Sequence, residues 1–174
     1  MRKHFVVGVI GPDRPGIVDE VSRLVAERGG NIADSRMAHL GGEFGLLMLF
    51  SGEGQSAEEA AGNIRQWAEG RGMTAVVKPT AAPPKAAAPV TEIGLEMPDQ
   101  PGIVSRVTHF LAQRGANVEG LETEVRPAPF TGTPVFSMHV NIRAAEKILL
   151  EELRAELQGL AGNEDIHITV GTSV

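Results

Sequence analysis

Apolar positions along the chain run through the same alternation twice. Phe5 to Ile10 and Thr91 to Glu96 are short apolar-rich runs bounded by Pro-containing turns, and both predict strands. A helical stripe follows each. Ile17, Val21, Leu24 and Val25 fall at i, i+4, i+7 and i+8, and Ile103, Val107, Phe110 and Leu111 repeat that spacing. Pro15 and Pro101 are expected at the first helical position, where a missing N–H costs nothing. Gly29 and Gly115 are expected to end the two helices.

A strand pair comes next in each half. Asn31 to His39 and Glu43 to Ser51 flank Gly41-Gly42, a hairpin signal. Asn117 to Arg126 pairs with Pro134 to Arg143. There Phe136, Met138, Val140 and Ile142 alternate with Ser137, His139 and Asn141, one face buried and the other wetter. Second helices are expected near Ser56 to Glu69, with Ile64, Trp67 and Ala68 inward, and over Ala144 to Gln158, with Leu150, Leu153 and Leu157 inward. Closing strands lie near Thr74 to Lys78 and Asp165 to Val170. The order is β-α-β-β-α-β twice, an α+β, ferredoxin-like pattern. Each half then has a four-stranded antiparallel sheet with two helices on one face. The other face and the sheet edges need cover.

The halves repeat in sequence as well as in pattern. Pro12-Asp13-Arg14-Pro15-Gly16-Ile17-Val18 matches Pro98-Asp99-Gln100-Pro101-Gly102-Ile103-Val104, and eleven of the 21 positions from Pro12 to Ile32 are identical in the second copy. Two copies at this spacing mark duplicated domains, since a solenoid would need about three. Between them, residues 79–89 hold four prolines and five alanines, which bar a packed core and a continuous helix. The expected organisation is domain 1 over 1–78, a linker over 79–89 and domain 2 over 90–174.

Charge and composition narrow the function classes. Of the formal charge of −6, residues 90–174 carry most, with six Lys/Arg against twelve Asp/Glu; residues 1–78 carry nine against ten. No basic stripe appears and aromatics are only 4%, so neither phosphate neutralisation nor base stacking is provided for, and direct nucleic-acid binding is not expected. No apolar run approaches the ~20 residues of a membrane span. The absence of cysteine removes disulfides and thiolate chemistry. Met1 to Ile10 starts like an export signal, but its apolar part stops at Gly11-Pro12-Asp13-Arg14 with no small-residue cleavage site, so a cytoplasmic protein is expected.

The Asp-x-Pro-Gly-Ile-Val turn carries the chemistry. It sets a helix N-terminus after a strand, where the N–H groups from Gly16 to Val18 lack internal partners and can hold a carboxylate. Gly16 lets a ligand or a neighbouring backbone approach closely. Asp13 can cap the helix or receive an ammonium, and Asn31 offers both a donor and an acceptor. A zwitterionic amino acid needs these groups. A purely structural reading stands beside this one: Pro and Gly start the helix, Asp caps it, and Asn makes the turn after the Gly.

Asp13-Arg14-Pro15-Gly16-Ile17-Val18 with Gly29-Gly30-Asn31-Ile32, and Asp99-Gln100-Pro101-Gly102-Ile103-Val104 with Gly115-Ala116-Asn117-Val118, resemble the signature of ACT domains. Two such domains in a chain of this length, with the insertion Arg126 to Phe136, resemble the glycine cleavage system transcriptional repressor family. The resemblance implies ligand sites where the first β-α loop of one module meets the early second strand of another. Carried onto this chain, the ligand-binding candidates are Asp13, Gly16, Ile17 and Asn31, and Asp99, Gly102, Ile103 and Asn117. It implies a non-catalytic regulator that senses an amino acid, glycine or serine first. It would act through a protein partner, a transcription factor. A homodimer formed through strand edges or helices is also expected. No cofactor is expected. Arg14 against Gln100 and Gly30 against Ala116 imply that the two sites differ.

Other features add little chemistry. The Pro127 to Thr133 insertion reads equally as a lid or partner-docking loop and as a rigid decoration over an edge strand. His4, His39, His109, His139 and His167 have no metal-ligand spacing, so no metal is expected. Trp67 fits the core stripe of its helix, and the glutamates at 146, 151, 152 and 156 form a solvated helix face. The competing classes are a small acylphosphatase-type hydrolase, for which no convergent acid, base or nucleophile is present, and an interaction module that binds no ligand.

Overall fold

The structure is a computed structural model describing residues 1–82, 90–143, 150–161 and 166–173. It divides into two units, Met1–Lys85 and Ala86–Val174. The first contains β1 (Arg2–Pro12), α1 (Ile17–Ala26), β2 (Asn31–Leu40), β3 (Glu43–Glu53), α2 (Gly54–Glu69) and β4 (Thr74–Thr80). The second repeats the order with β5 (Val90–Pro98), α3 (Ile103–Gln113), β6 (Asn117–Pro127), β7 (Pro134–Arg143), α4 (Leu150–Ala161) and β8 (His167–Ser173). The sheets run β2-β3-β1-β4 and β6-β7-β5-β8, all neighbours antiparallel. The expected start of the last helix at Ala144, the strand start at Asp165, Glu146 and residues 83–89 lie outside the described residues.

The expected stripes form the cores. Ile17, Val21 and Val25 of α1 and Ile64, Trp67 and Ala68 of α2 pack with Val7, Val9, Met48 and Phe50 on one face of the first sheet. Leu24 is half-buried against that core. In the second unit all four stripe residues of α3, with Leu153 and Leu157 of α4, cover Met138, Val140 and Ile142. β1 is longer than the apolar run Phe5 to Ile10 that marks it. It is a central strand paired on both sides, and the ladder with β3 extends over polar Arg2 to His4 and over Pro12. The first strand of each hairpin, β2 or β6, sits at a sheet edge, and every residue of β2 but Ser35 is exposed.

Helix ends follow the glycines. Gly29 has φ 67°, the Gly30 N–H donates to Val25 O at 2.9 Å, and the Gly29 N–H donates to Ala26 O at 2.9 Å, a Schellman motif. Ala116 to Leu111 and Gly115 to Ala112 repeat it at 3.1 and 3.0 Å. The Gly41-Gly42 hairpin turn has φ 61° and 99°, the two positive values a type I′ turn requires.

Residues opposite one another across antiparallel strands share a face, so the register defines what each open sheet face presents. In the first unit Asp34, Leu49, Val6 and Lys78 form one row across the four strands. The next row is Arg36, Leu47, Gly8 and Val76. The matching rows of the second unit read Gly120, Asn141, Glu92 and Gly171, then Glu122, His139, Gly94 and Thr169. Gly94 has a packing reason: a Cβ there would lie 2.5 Å from Thr169 Oγ1.

Candidate functional site

The β1–α1 and β5–α3 turns have one geometry. Gly16 has φ 92° and ψ −3°, Gly102 has φ 95° and ψ −1°, and each is the residue before the helix. These are the angles of the third residue in a type II turn, with Pro15 or Pro101 in the second position. One expectation is corrected here. The prolines stand outside the helices rather than at their first residue, because Pro-Gly is consumed in making the turn. The positive φ by itself calls for glycine at both positions.

Asp13 is not the helix cap. Gly16 and Gly102 hold that position, and neither helix has a side-chain cap hydrogen bond. The Asp13 N–H instead donates to Gly42 O of the β2–β3 turn at 3.4 Å, and the Asp99 N–H to Pro134 O at 3.0 Å. Each Asp backbone is thus tied to the adjacent hairpin while its carboxylate stays exposed, with Asp13 Oδ2 3.8 Å from His39 Nε2. The first N–H groups of α1 and α3 are left for solvent or an anion.

Beside the first turn lies a network that sequence reasoning missed. Arg14 clamps Glu20 with two hydrogen bonds, 2.7 and 3.0 Å. The Trp67 indole N–H donates to Glu20 Oε2 at 2.7 Å, Arg71 Nε lies 2.8 Å from the same oxygen, and the Arg71 guanidinium sits over the indole ring, 5.4 Å from its centre. The Arg14 bond first, then the Trp67 bond, hold the Glu20 carboxyl down at about 2 against an ordinary 4.5. The second unit has Gln100 and Arg106 at the matching positions, so it lacks the clamp. A cue was present in the sequence: both members of the 14/20 pair change together between copies.

A carboxyl whose folded pKa lies below its unfolded value adds stability that is complete above the unfolded pKa and is lost as pH falls through the folded one. For Glu20 that window is pH 4.5 down to about 2. The expected result is a fall in the urea midpoint across that window, read by the emission of Trp67, the chain's one tryptophan. Glu20→Gln should be less stable at pH 7 and show a flatter dependence over the same range.

The two ends of each candidate set are far apart within a unit. Asn31 pairs with Ser51 and Ser51 with His4, so Asn31 lies at the start of β1. Asp13 follows Pro12 at its other end, and Pro12 is eight residues from His4, or about 26 Å at ~3.3 Å per residue. Asn117 likewise pairs with Arg143, beyond Thr91 at the start of β5. Gly16 and Ile17, and Gly102 and Ile103, stay with their Asp. Ile17 and Ile103 are buried, so only their backbone can serve a ligand. Neither Asn side chain makes a hydrogen bond among the described residues, though Arg143 near Asn117 holds Glu119 at 2.5 and 2.9 Å.

The local charge differs between the turns. The first turn of α1 carries Asp19 and Glu20, whereas α3 has Ser105 and Arg106 there. Negative charge in the first turn of a helix competes with a bound anion for the same N–H groups. In the insertion, the Ala128 N–H donates to Thr133 O at 2.8 Å and the Gly132 N–H to Ala128 O at 2.9 Å, leaving Phe130 fully exposed. His139 and His167 are exposed, and no group of three potential metal ligands occurs among the described residues.

An ACT-domain sequence profile matches residues 3–78, and a second matches residues 91–158. The chain belongs to the ACT-domain family. It is 29% identical over 165 residues to the glycine cleavage system transcriptional repressor of Escherichia coli strain K12, covering 88% of this chain and 87% of that one. It superposes on a crystal structure of an unknown protein from Galdieria sulphuraria with a TM-score of 0.80 and 31% identity, over the full length of both chains. It also superposes on a crystal structure provisionally assigned as a glycine cleavage system transcriptional repressor, with a TM-score of 0.70 and 28% identity, over 99% of this chain and 98% of that one. The tandem ACT architecture is that of a regulatory protein, and no described helix is long and apolar enough to cross a membrane.

Proposed function

We propose that this ACT-domain chain is a non-catalytic sensor of a small amino acid, glycine or serine, and that it regulates transcription through a protein partner rather than by touching DNA. The observation that carries the reading is the pair of uncapped helix N-termini, each behind a type II Pro-Gly turn with an exposed Asp beside it. Similarity to a transcriptional repressor over 88% of the chain supports the regulatory half. Because Asp13 and Asn31 stand at opposite ends of their sheet, a complete site needs a second ACT module to bring an Asn against a turn. The carboxylate sits on the Gly102–Val104 N–H groups in preference to the Gly16–Val18 set, since α3 has no acidic residue in its first turn. The amine goes to Asp99 and the partner Asn. Phe130, held on a closed loop, offers a regulatory partner a rigid aromatic anchor.

A ligand that binds only the folded chain raises its stability by RT ln(1 + [L]/Kd). At 100 times Kd the gain is about 2.7 kcal/mol, several degrees in melting temperature for a domain of this size. A melting screen against the twenty amino acids should single out glycine or serine. Asn117→Ala, an exposed substitution, should abolish that shift while the ligand-free melting temperature stays put. No shift for any amino acid at about 10 mM, ten times a Kd of about 1 mM, would remove the sensor reading. Specific binding of promoter DNA by the purified chain at physiological salt would remove the indirect mode of action.

A further inference from the structure

The open face of the first sheet is apolar where the same face of the second is polar. Val6, Ile10, Leu47, Leu49 and Val76 line it around Gly8, with Ile10 63%, Leu47 54% and Val76 53% exposed. The equivalent positions of the second sheet, matched by register, are Glu92, Glu96, His139, Asn141 and Thr169. The second unit therefore shows that this fold stands without an apolar open face, as antiparallel sheets with one solvated side generally do. A contiguous apolar patch that the fold does not require marks a contact surface.

The charges at its margin identify the occupant. The central row runs Asp34, Leu49, Val6, Lys78: acidic on β2, apolar on β3 and β1, basic on β4. A two-fold axis parallel to the strands, midway between β3 and β1, lays β2 of one copy over β4 of the other and β3 over β1. Asp34 then meets the second copy's Lys78, and the apolar centres meet each other. Arg36, which pairs with Asp34 in its own chain, is brought over Val76 of the second copy, where its aliphatic stem covers an apolar side chain. An interface of this kind is isologous, the same patch serving both subunits. A four-stranded face about 19 Å wide and about 26 Å long gives roughly 500 Å² per copy, or on the order of 1,000 Å² in all, the lower end for a specific interface.

We infer that the open face of the first ACT sheet is a self-complementary docking surface for a second copy of this chain, packed sheet on sheet with Asp34 against Lys78 twice. The contact uses neither β–α turn, so it stands or falls apart from amino-acid binding.

Sedimentation velocity of the full chain over a concentration series tests it. The wild type should show a reversible monomer–dimer equilibrium. Asp34→Lys and Lys78→Asp should each weaken the dimer about tenfold or more per like-charged contact, and each dimer has two such contacts. An equimolar mixture of the two single variants should recover the dimer, because each heterodimer restores two opposite-charge pairs. Leu47→Asp at the centre should abolish it, with Trp67 emission reporting the fold. If that variant misfolds, the charge-swapped mixture decides alone. A wild type that is monomeric at about 200 µM, a dimer indifferent to these changes, or a mixture that fails to recover it would overturn the inference.

Discussion

Trp67→Ala is expected to remove about 3–5 kcal/mol from the first unit, the usual cost of emptying a large aromatic site in a core. Trp67 is buried among the α1 and α2 residues over the sheet. Its loss opens a cavity and at once strips Glu20 of a donor and Arg71 of its ring. A unit of about 80 residues has only a few kcal/mol to lose, so calorimetric melting should show its transition collapse while that of the second unit holds. Trp67→Phe separates the two effects. It keeps most of the volume and removes the N–H, and should cost clearly less than Trp67→Ala, because Glu20 keeps both Arg14 hydrogen bonds. If Trp67→Ala melts like the wild type, Trp67 does not join the core to the turn.

Gly30→Ala is the second large effect, and the repeat makes it informative. A Cβ on Gly30 would lie 2.7 Å from Val25 Cγ1 and 2.9 Å from Val25 O. Overpacking of this kind costs about 1–3 kcal/mol. The second unit has Ala116 at this place, and its Schellman partner is Leu111 rather than Val25. Leucine branches one carbon further out, which leaves room beside the helix end. Val25→Leu should therefore recover the part of the Gly30→Ala loss that the Cγ1 contact causes, leaving the part due to the backbone oxygens of Val25 and Ser51, with the pair measured as a double-mutant cycle by urea unfolding. Additive costs would contradict this account of why the two copies differ at that position.

Most of the fold was legible in the sequence because its signals are local and doubled. The stripe Ile17-Val21-Leu24-Val25, the glycines at 29 and 115 and the alternation from Phe136 to Ile142 each act within one element, and each has a counterpart or an internal check. The site was legible in composition but not in arrangement. Pro15 and Pro101 were expected inside the helices because proline is common at a first helical position; the glycine after each, with φ above 90°, turns the pair into a type II turn instead. Of the two roles open to Asp13, capping falls away, because the turn carries the helix start three residues on, to Gly16. Asn31 follows Asp13 by 18 positions, but the helix and turn between them carry the chain back along the sheet and leave the two at opposite ends.

Tertiary pairings were beyond reach for a different reason. Trp67 and Glu20 are 47 positions apart, and nothing in either helix alone says they meet. The open faces needed the register. Leu47 and Leu49 read as ordinary strand residues until β1 and β4 are set beside them and the matching positions of the second sheet prove polar.

The central claim is that an amino acid is held at an ACT turn, and titration calorimetry of glycine and serine into the full chain tests it most directly. One of them should bind with a Kd below about 1 mM. Asp99→Ala should weaken that binding about 10- to 100-fold, the worth of a charged hydrogen bond, and Asp13→Ala should weaken it less. Absence of heat for both ligands, or a Kd unmoved by Asp99→Ala, would contradict it.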